Sequence, residues 1–141
     1  PAREGYLYIS ANTPRFWKAL CARTGLRMLE ENPRYDSVRK RADHANEIFV
    51  SAASAWEIAT KQRLGKLDEV PQAAARFAEL VAADGFLHLP ISHGHGLRAG
   101  GYDVAHRDPV DRMLAAQSEL ESMPLVTRDP AFADFCITTL W

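Results

Sequence analysis

Two kinds of hydrophobic spacing alternate along the chain. Short continuous apolar runs rich in β-branched and aromatic residues read as buried strands. Tyr6–Ser10 (YLYIS), Ile48–Val50 (IFV), Phe86–Ile91 (FLHLPI) and Leu125–Thr127 (LVT) are of this kind, and Cys136–Trp141 predicts a closing edge strand. Between them, apolar residues recur at helical spacing. Ala55–Leu64 follows the second run almost directly, with Ser51 or Ser54 able to cap it. It stops at Gly65, with Lys61, Arg63 and Lys66 where positive charge suits a helix C-terminus. Gln72–Ala83 places Ala73, Phe77, Leu80 and Val81 on one face and ends at Gly85. In His106–Gln117, Asp108 and Pro109 read as N-cap and first helical residue, and Val110, Met113, Leu114 and Gln117 form a buried stripe. Strands separated by helices predict an α/β fold with a parallel sheet.

The remaining stretches add less. Asn12-Thr13-Pro14 can start a helix carrying Phe16, Trp17 and Leu20 as core residues. Cys21–Arg34 is interrupted by Gly25, Asn32 and Pro33. Ser37–Ala45 (SVRKRADHA) reads as a solvated helix, or as a basic patch for nucleic acid. Leu67–Pro71 is a loop, and Ser92 can cap a short helix. His93-Gly94-His95 invites a metal reading, but two histidines are a weak signal and the glycines argue for a turn. Gly100-Gly101 opens a flexible segment to His106, a candidate mobile loop over the site. Asp129, between the last long strand and Pro130, predicts a cap for a helix over Ala131–Phe135.

Composition narrows the class. The chain has 141 residues, 47% hydrophobic, enough for one domain over 1–141 with a real core. No apolar run approaches the roughly 20 residues of a membrane span, and Pro1-Ala-Arg-Glu-Gly does not look like a signal peptide. Cys21 and Cys136 form no framework and no metal spacing. They read as buried thiols in a reducing cytoplasm. A formal charge of −1 argues against a broadly basic nucleic-acid binder, so any such contact needs local patches.

Three acids carry the candidate chemistry. Glu57 reads as a first-turn residue after a strand, Asp111 as a first-turn residue of the long helix, and Asp129 as the residue after a strand. Each has a structural explanation. Ser54-x-x-Glu57 is a capping box, Asp111 complements a helix dipole and Asp129 is a cap. If the strands are parallel, however, all three meet at the carboxyl edge of one sheet. Carboxylates brought together repel, which raises the group's pKa. A divalent cation relieves that cost, and oxygen-only ligation suits Mg²⁺ or Mn²⁺. With Arg107, Arg112 and Arg128 beside it, such a cluster is equipped to hydrolyse a phosphodiester. No phosphate-cradling glycine loop points to another α/β phosphatase or nuclease class.

The pieces FVSAASAWEIATKQRLGKL, LPIS, HRDPVDRMLAAQ and LVTRDPAF, from Ile48 onward, resemble the PIN-domain family, specifically VapC-type toxins of type II toxin–antitoxin pairs. The resemblance implies a three-layer α/β/α domain with a central, mainly parallel sheet. It also implies an Mg²⁺- or Mn²⁺-dependent endoribonuclease, homodimeric, cytoplasmic, and inhibited by a cognate antitoxin. The family's acids fall on Glu57, Asp111 and Asp129, with Asp108 nearby as a possible outer partner. Arg112, Arg128, Lys61 and Arg107 would neutralise the RNA backbone. The family's first strand ends in Asp-Thr, and that aspartate is a metal ligand. Here the match is Asn12-Thr13, or Ala11 in the register set by Trp17, so the site keeps at most a neutral carbonyl there. The alternative reading is a PIN-like module that binds RNA or an antitoxin without cutting.

Overall fold

A computed structural model describes residues 6–7, 48–67, 71–83, 85–127 and 129–140. Five short strands form one sheet among these residues. They are β1 (Tyr6–Leu7), β2 (Ile48–Ser51), β3 (Leu87–Leu89), β4 (Leu125–Val126) and β5 (Thr139–Leu140). Their order is β3-β2-β1-β4-β5, and every pairing is parallel. The α/β class with a parallel sheet is thus the one expected. Tyr6 pairs with Ile48, and Leu7 with both Phe49 and Leu125, so the first strand run lies between the second and the fourth. From β1 the chain moves to one side through β2 and β3, then returns across β1 to β4 and β5. This reversal makes a crevice at the carboxyl ends of β1 and β4, where open α/β sheets bind ligands.

Among the described residues four helices connect the strands: α1 (Ala52–Arg63), α2 (Phe77–Ala83), α3 (His93–Gly101) and α4 (Pro109–Glu121). A 3-10 helix, Pro130–Asp134, precedes β5. Two glycines end helices as read from the sequence: Gly65 and Gly85 take positive φ, 66° and 72°, which costs a residue without a Cβ little. The core joins the sheet to α4, with Phe49, Leu89, Leu114, Leu125 and Phe135 buried together. The stripe on α4 is as predicted: Val110, Leu114 and Gln117 are buried and Met113 packs against the core.

Several boundaries moved. Ser51, not Ser54, caps α1: its Oγ accepts from the Ala53 N–H at 2.9 Å. The helix therefore begins one turn earlier, because the buried end of β2 leads straight into it. Ser54 falls inside, buried, its hydroxyl without a hydrogen-bond partner. The expected capping box is therefore not formed. Residues 71–76 are turns, and α2 begins only at Phe77; the Gln62 side chain bonds the Pro71 carbonyl and the Ala74 N–H, holding those turns.

His93-Gly-His95 is helical, not a turn. The His95 N–H donates to Ser92 Oγ at 3.2 Å, and the Ser92 N–H donates back to His95 Nδ1 at 3.1 Å. This reciprocal cap, plus packing on α4, outweighs the roughly 1 kcal/mol that each interior glycine costs a helix. His95 Nε2 faces Glu121 at 3.2 Å. Cys136 is exposed, against the expected burial. Cys21, the residues 11–45 and Trp141 lie outside the described residues.

Candidate active site

The carboxyl edge of the sheet collects acids for reasons of topology. Helix α4 is followed by only three residues before β4 begins, so its C-terminus sits at the amino ends of the strands and its N-terminus at the carboxyl ends. Asp108 caps that N-terminus: its Oδ1 accepts from the N–H groups of Val110 at 2.8 Å and Asp111 at 3.3 Å. Pro109 takes the first helical position, where a missing N–H is harmless. Asp111 follows in the first turn. Asp129 comes shortly after β4, exposed, and its Oδ1 caps the 3-10 helix through the Ala131 N–H at 2.9 Å. Thr127 Oγ1 accepts the Asp129 N–H at 3.1 Å.

Asp111 is the electrostatic focus. Burial above all pushes its carboxyl above the ordinary carboxylate range; the charges of Asp108 and Asp129 push the same way, and His106 pulls against them. Two of the expected acids, Asp111 and Asp129, are therefore close enough to feel each other, and Asp108 joins them. Glu57 is not among the groups acting on Asp111. It lies in the second turn of α1, five residues in, or about 7.5 Å along the axis, which sets it back from the sheet edge. Its carboxylate pairs with Lys61 at 2.5 Å.

The cations divide. Lys61 is spent on Glu57, but such an exposed i,i+4 pair is worth only about 0.3–0.5 kcal/mol, so either partner is readily released to a ligand. Arg112, expected at the RNA backbone, is instead a brace. Its Nε donates to Ala99 O at 2.8 Å and its Nη1 to His106 O at 2.9 Å. Its Nη2 donates to Tyr102 O at 2.6 Å and Gly100 O at 3.4 Å. The segment 100–106, expected as a mobile loop, is thereby tied to α4 by its carbonyls. Arg107 is exposed and makes no hydrogen bond or ion pair with another described residue, which leaves it free for a phosphate. Arg128 and Asn12 lie outside the described residues. Trp56, next to Glu57, is 59% exposed.

Sequence reasoning missed His106. Its Nε2 lies 2.7 Å from Asp111 Oδ2, and its ring meets Phe135 edge to face at 5.8 Å. The signal was its position five residues before Asp111, across a capped proline turn.

The donor set fits a hard divalent cation in kind. It is all oxygen, and the negative charge pressing on Asp111 is what a cation would relieve. Among the described residues, no group of three His, Cys, Asp or Glu is close enough to hold a metal; Asp108 and Asp129 are near enough for their charges to act on Asp111.

The raised Asp111 pKa has a consequence for stability. The folded protein holds this proton more tightly than the unfolded chain does. The cost of the ionised group is thus absent at pH below the unfolded value of about 3.9 and grows as pH rises through the folded value. Asp111→Asn should raise Tm at pH 7, and the gain should disappear in melts below about pH 4.

In comparison with known proteins, residues 26–137 match the family model described as the PIN domain. The chain is 36% identical over 94 residues to Ribonuclease VapC16 of Mycobacterium tuberculosis (strain ATCC 25618 / H37Rv), covering 58% of this chain and 67% of that protein. It is also similar to the solved structure of FitAB bound to an IR36 DNA fragment, with a TM-score of 0.48 and 16% identity, covering 83% of this chain and 90% of that one.

Proposed function

Because the chain belongs to the PIN-domain family, we propose that it is a divalent-metal-dependent endoribonuclease, the toxin of a type II toxin–antitoxin pair. The observation that carries the reading is the gathering of Asp108, Asp111 and Asp129 toward the sheet's switch point, where burial above all, with the charges of Asp108 and Asp129 added, raises the pKa of Asp111. The 36% identity to a VapC ribonuclease supports RNA as the substrate.

Asp111 and Asp129 would hold Mg²⁺ or Mn²⁺, with Asp108 as an outer partner and Glu57 and Asn12 completing the set. The cation supplies a lowered pKa for a water nucleophile and neutralises phosphate charge. The chain's own side chains do the rest. Arg107 meets a non-bridging phosphate oxygen, with Arg128 and, once released from Glu57, Lys61 beside it. Contacts of this kind position the backbone and read no base. Asp108 keeps the first turn of α4 in place, so Asp111 is presented from a rigid helix end. A homodimer and an antitoxin encoded beside the gene complete the proposal. No helix among the described residues is long and apolar enough to cross a membrane.

A second reading, binding without cleavage, is favoured by Asn12 standing where the family has an aspartate. One assay separates the two. The purified protein is incubated with a mixed RNA pool and Mn²⁺ or Mg²⁺. Cleavage should be slow, stop with EDTA, and fall by about 100-fold or more in Asp111→Asn, since even outer-sphere partners of a metal cost about 10–100-fold. Glu57→Gln should also lower it. Asn12→Asp should raise it, and Ala11→Asp only if the register set by Trp17 holds. RNA retained on the protein with no metal-dependent cuts, in the parent and in Asn12→Asp, would select the binding module.

A further inference from the structure

We propose that His106 is a positioning residue for Asp111: it ties up Oδ2 of that carboxylate and so presents the other oxygen to a divalent cation. The inference rests on the metal reading of the same site and goes beyond it by giving a role to a residue outside the acid set.

Three contacts hold the imidazole. Its nitrogen is 2.7 Å from Asp111 Oδ2. Its ring edge meets Phe135, a buried residue 5.8 Å away between centroids. Its backbone carbonyl receives the Arg112 guanidinium at 2.9 Å. Backbone and ring nitrogen are thus fixed by neighbouring residues of α4, and the ring plane by Phe135 just after the 3-10 helix. Facing a carboxylate that only accepts, Nε2 carries the hydrogen. Asp111 Oδ1 has no hydrogen-bond partner among the described residues.

A carboxylate on a short side chain can rotate about χ2 with little resistance. Fixing one oxygen from behind removes that freedom before a cation arrives, the way outer-sphere hydrogen bonds orient metal-binding carboxylates in general. Asp129 and Asp108 each have one oxygen held by a backbone N–H cap. The Asp111 carboxylate caps no backbone N–H, and His106 supplies the corresponding tie.

The experiment is a calorimetric titration of the full chain with Mn²⁺ alone, in the absence of RNA. Parent, Asp111→Asn, His106→Leu, His106→Gln and His106→Asn are compared, each with its melting curve. Glutamine places an amide N–H near the position of Nε2; asparagine is too short; leucine fills space beside Phe135 without a donor. We expect Kd to rise about tenfold in His106→Leu and His106→Asn and to stay within about threefold of the parent in His106→Gln. Rescue by glutamine is what a merely space-filling role would not give. If His106→Leu does not fold, asparagine against glutamine carries the comparison. Parent-like Kd in the leucine and asparagine variants, or an equal loss in all three, would overturn the inference alone, provided Asp111→Asn has lost binding. A flat titration of the parent, or parent-like binding by Asp111→Asn, would overturn the metal reading and the inference with it.

Discussion

Arg112→Ala should lower stability by about 3 kcal/mol, read as a Tm drop on the order of 10 °C for a chain of this length. The guanidinium gathers the carbonyls of Ala99, Gly100, Tyr102 and His106. Hydrogen bonds to a charged donor contribute about 1.5–3 kcal/mol each when well made. Four would give far more than 3 kcal/mol, but the segment is partly exposed and water replaces some of the lost donors. Arg112→Lys should recover less than half, since one ammonium cannot reproduce a planar fork with five N–H groups. The Tm gain from Asp111→Asn should be larger in this background, because the carbonyl of His106 is one of those released and the imidazole no longer offsets the burial and repulsion of the Asp111 carboxylate. A variant melting within 2 °C of the parent, on the order of 0.5 kcal/mol, would show that the segment 100–106 does not need its brace.

Gln117→Glu should be comparably severe, costing about 3–5 kcal/mol in urea unfolding at pH 7. Gln117 has no exposed surface. Its Oε1 accepts from Ser51 Oγ at 2.5 Å and its Nε2 donates to Pro90 O at 3.3 Å. One amide therefore links the end of β2, the end of β3 and the middle of α4. A carboxylate keeps the bond from Ser51 but turns its other oxygen toward a carbonyl, with a charge out of reach of water. Gln117→Leu should cost less, about 2–3 kcal/mol, by leaving the buried Ser51 hydroxyl without an acceptor. Ser51→Ala also removes the cap of α1, but it should cost less in the Gln117→Leu background than in the parent, so the double mutant should show coupling of about 0.5 kcal/mol or more. Strict additivity would mean that the Ser51–Gln117 bond contributes nothing.

These residues also mark where the sequence was readable. The strands at Ile48 and Leu125, the Asp108-Pro109 start of α4, the glycine stops at 65 and 85 and the Ser92 cap are local chemistry, and local patterns found them. Gln117 was legible as a buried position because it shares the apolar stripe of α4. That it bonds Ser51 was not, since nothing in a helical repeat says which strand end lies opposite. The choice between Ser51 and Ser54 failed for a related reason: both precede good helix formers, and only the burial of β2 up to Ser51 decides where the helix begins. The glycines beside His93 and His95 argued for a turn because their cost is local, while the packing on α4 that offsets it is not.

The site divides in the same way. Asp111 and Asp129 could be placed at one edge from strand–helix order alone. Glu57 came out one turn too close to that edge, as the mislocated cap required. Arg112 was read as a phosphate ligand because an arginine beside acids suggests one, and its carbonyl partners lie in a loop whose path no periodicity records. His106 had no apolar spacing and no partner of its own in the pattern.

The place of β1 also bears on how the protein is made. Tyr6–Leu7 is the middle of the sheet, and Leu7 has to pair with Leu125. During translation β1 therefore leaves the ribosome well before β4 and waits for the residues between Leu7 and Leu125 to be made. At about 5–20 residues per second the wait is on the order of 10 s. Until β4 emerges, β1 has one free edge and the crevice between the two strands does not exist. Asp129 is made later still. The acidic edge can thus assemble only after β4 and Asp129 have both emerged, and the candidate site is among the later features of the domain to form.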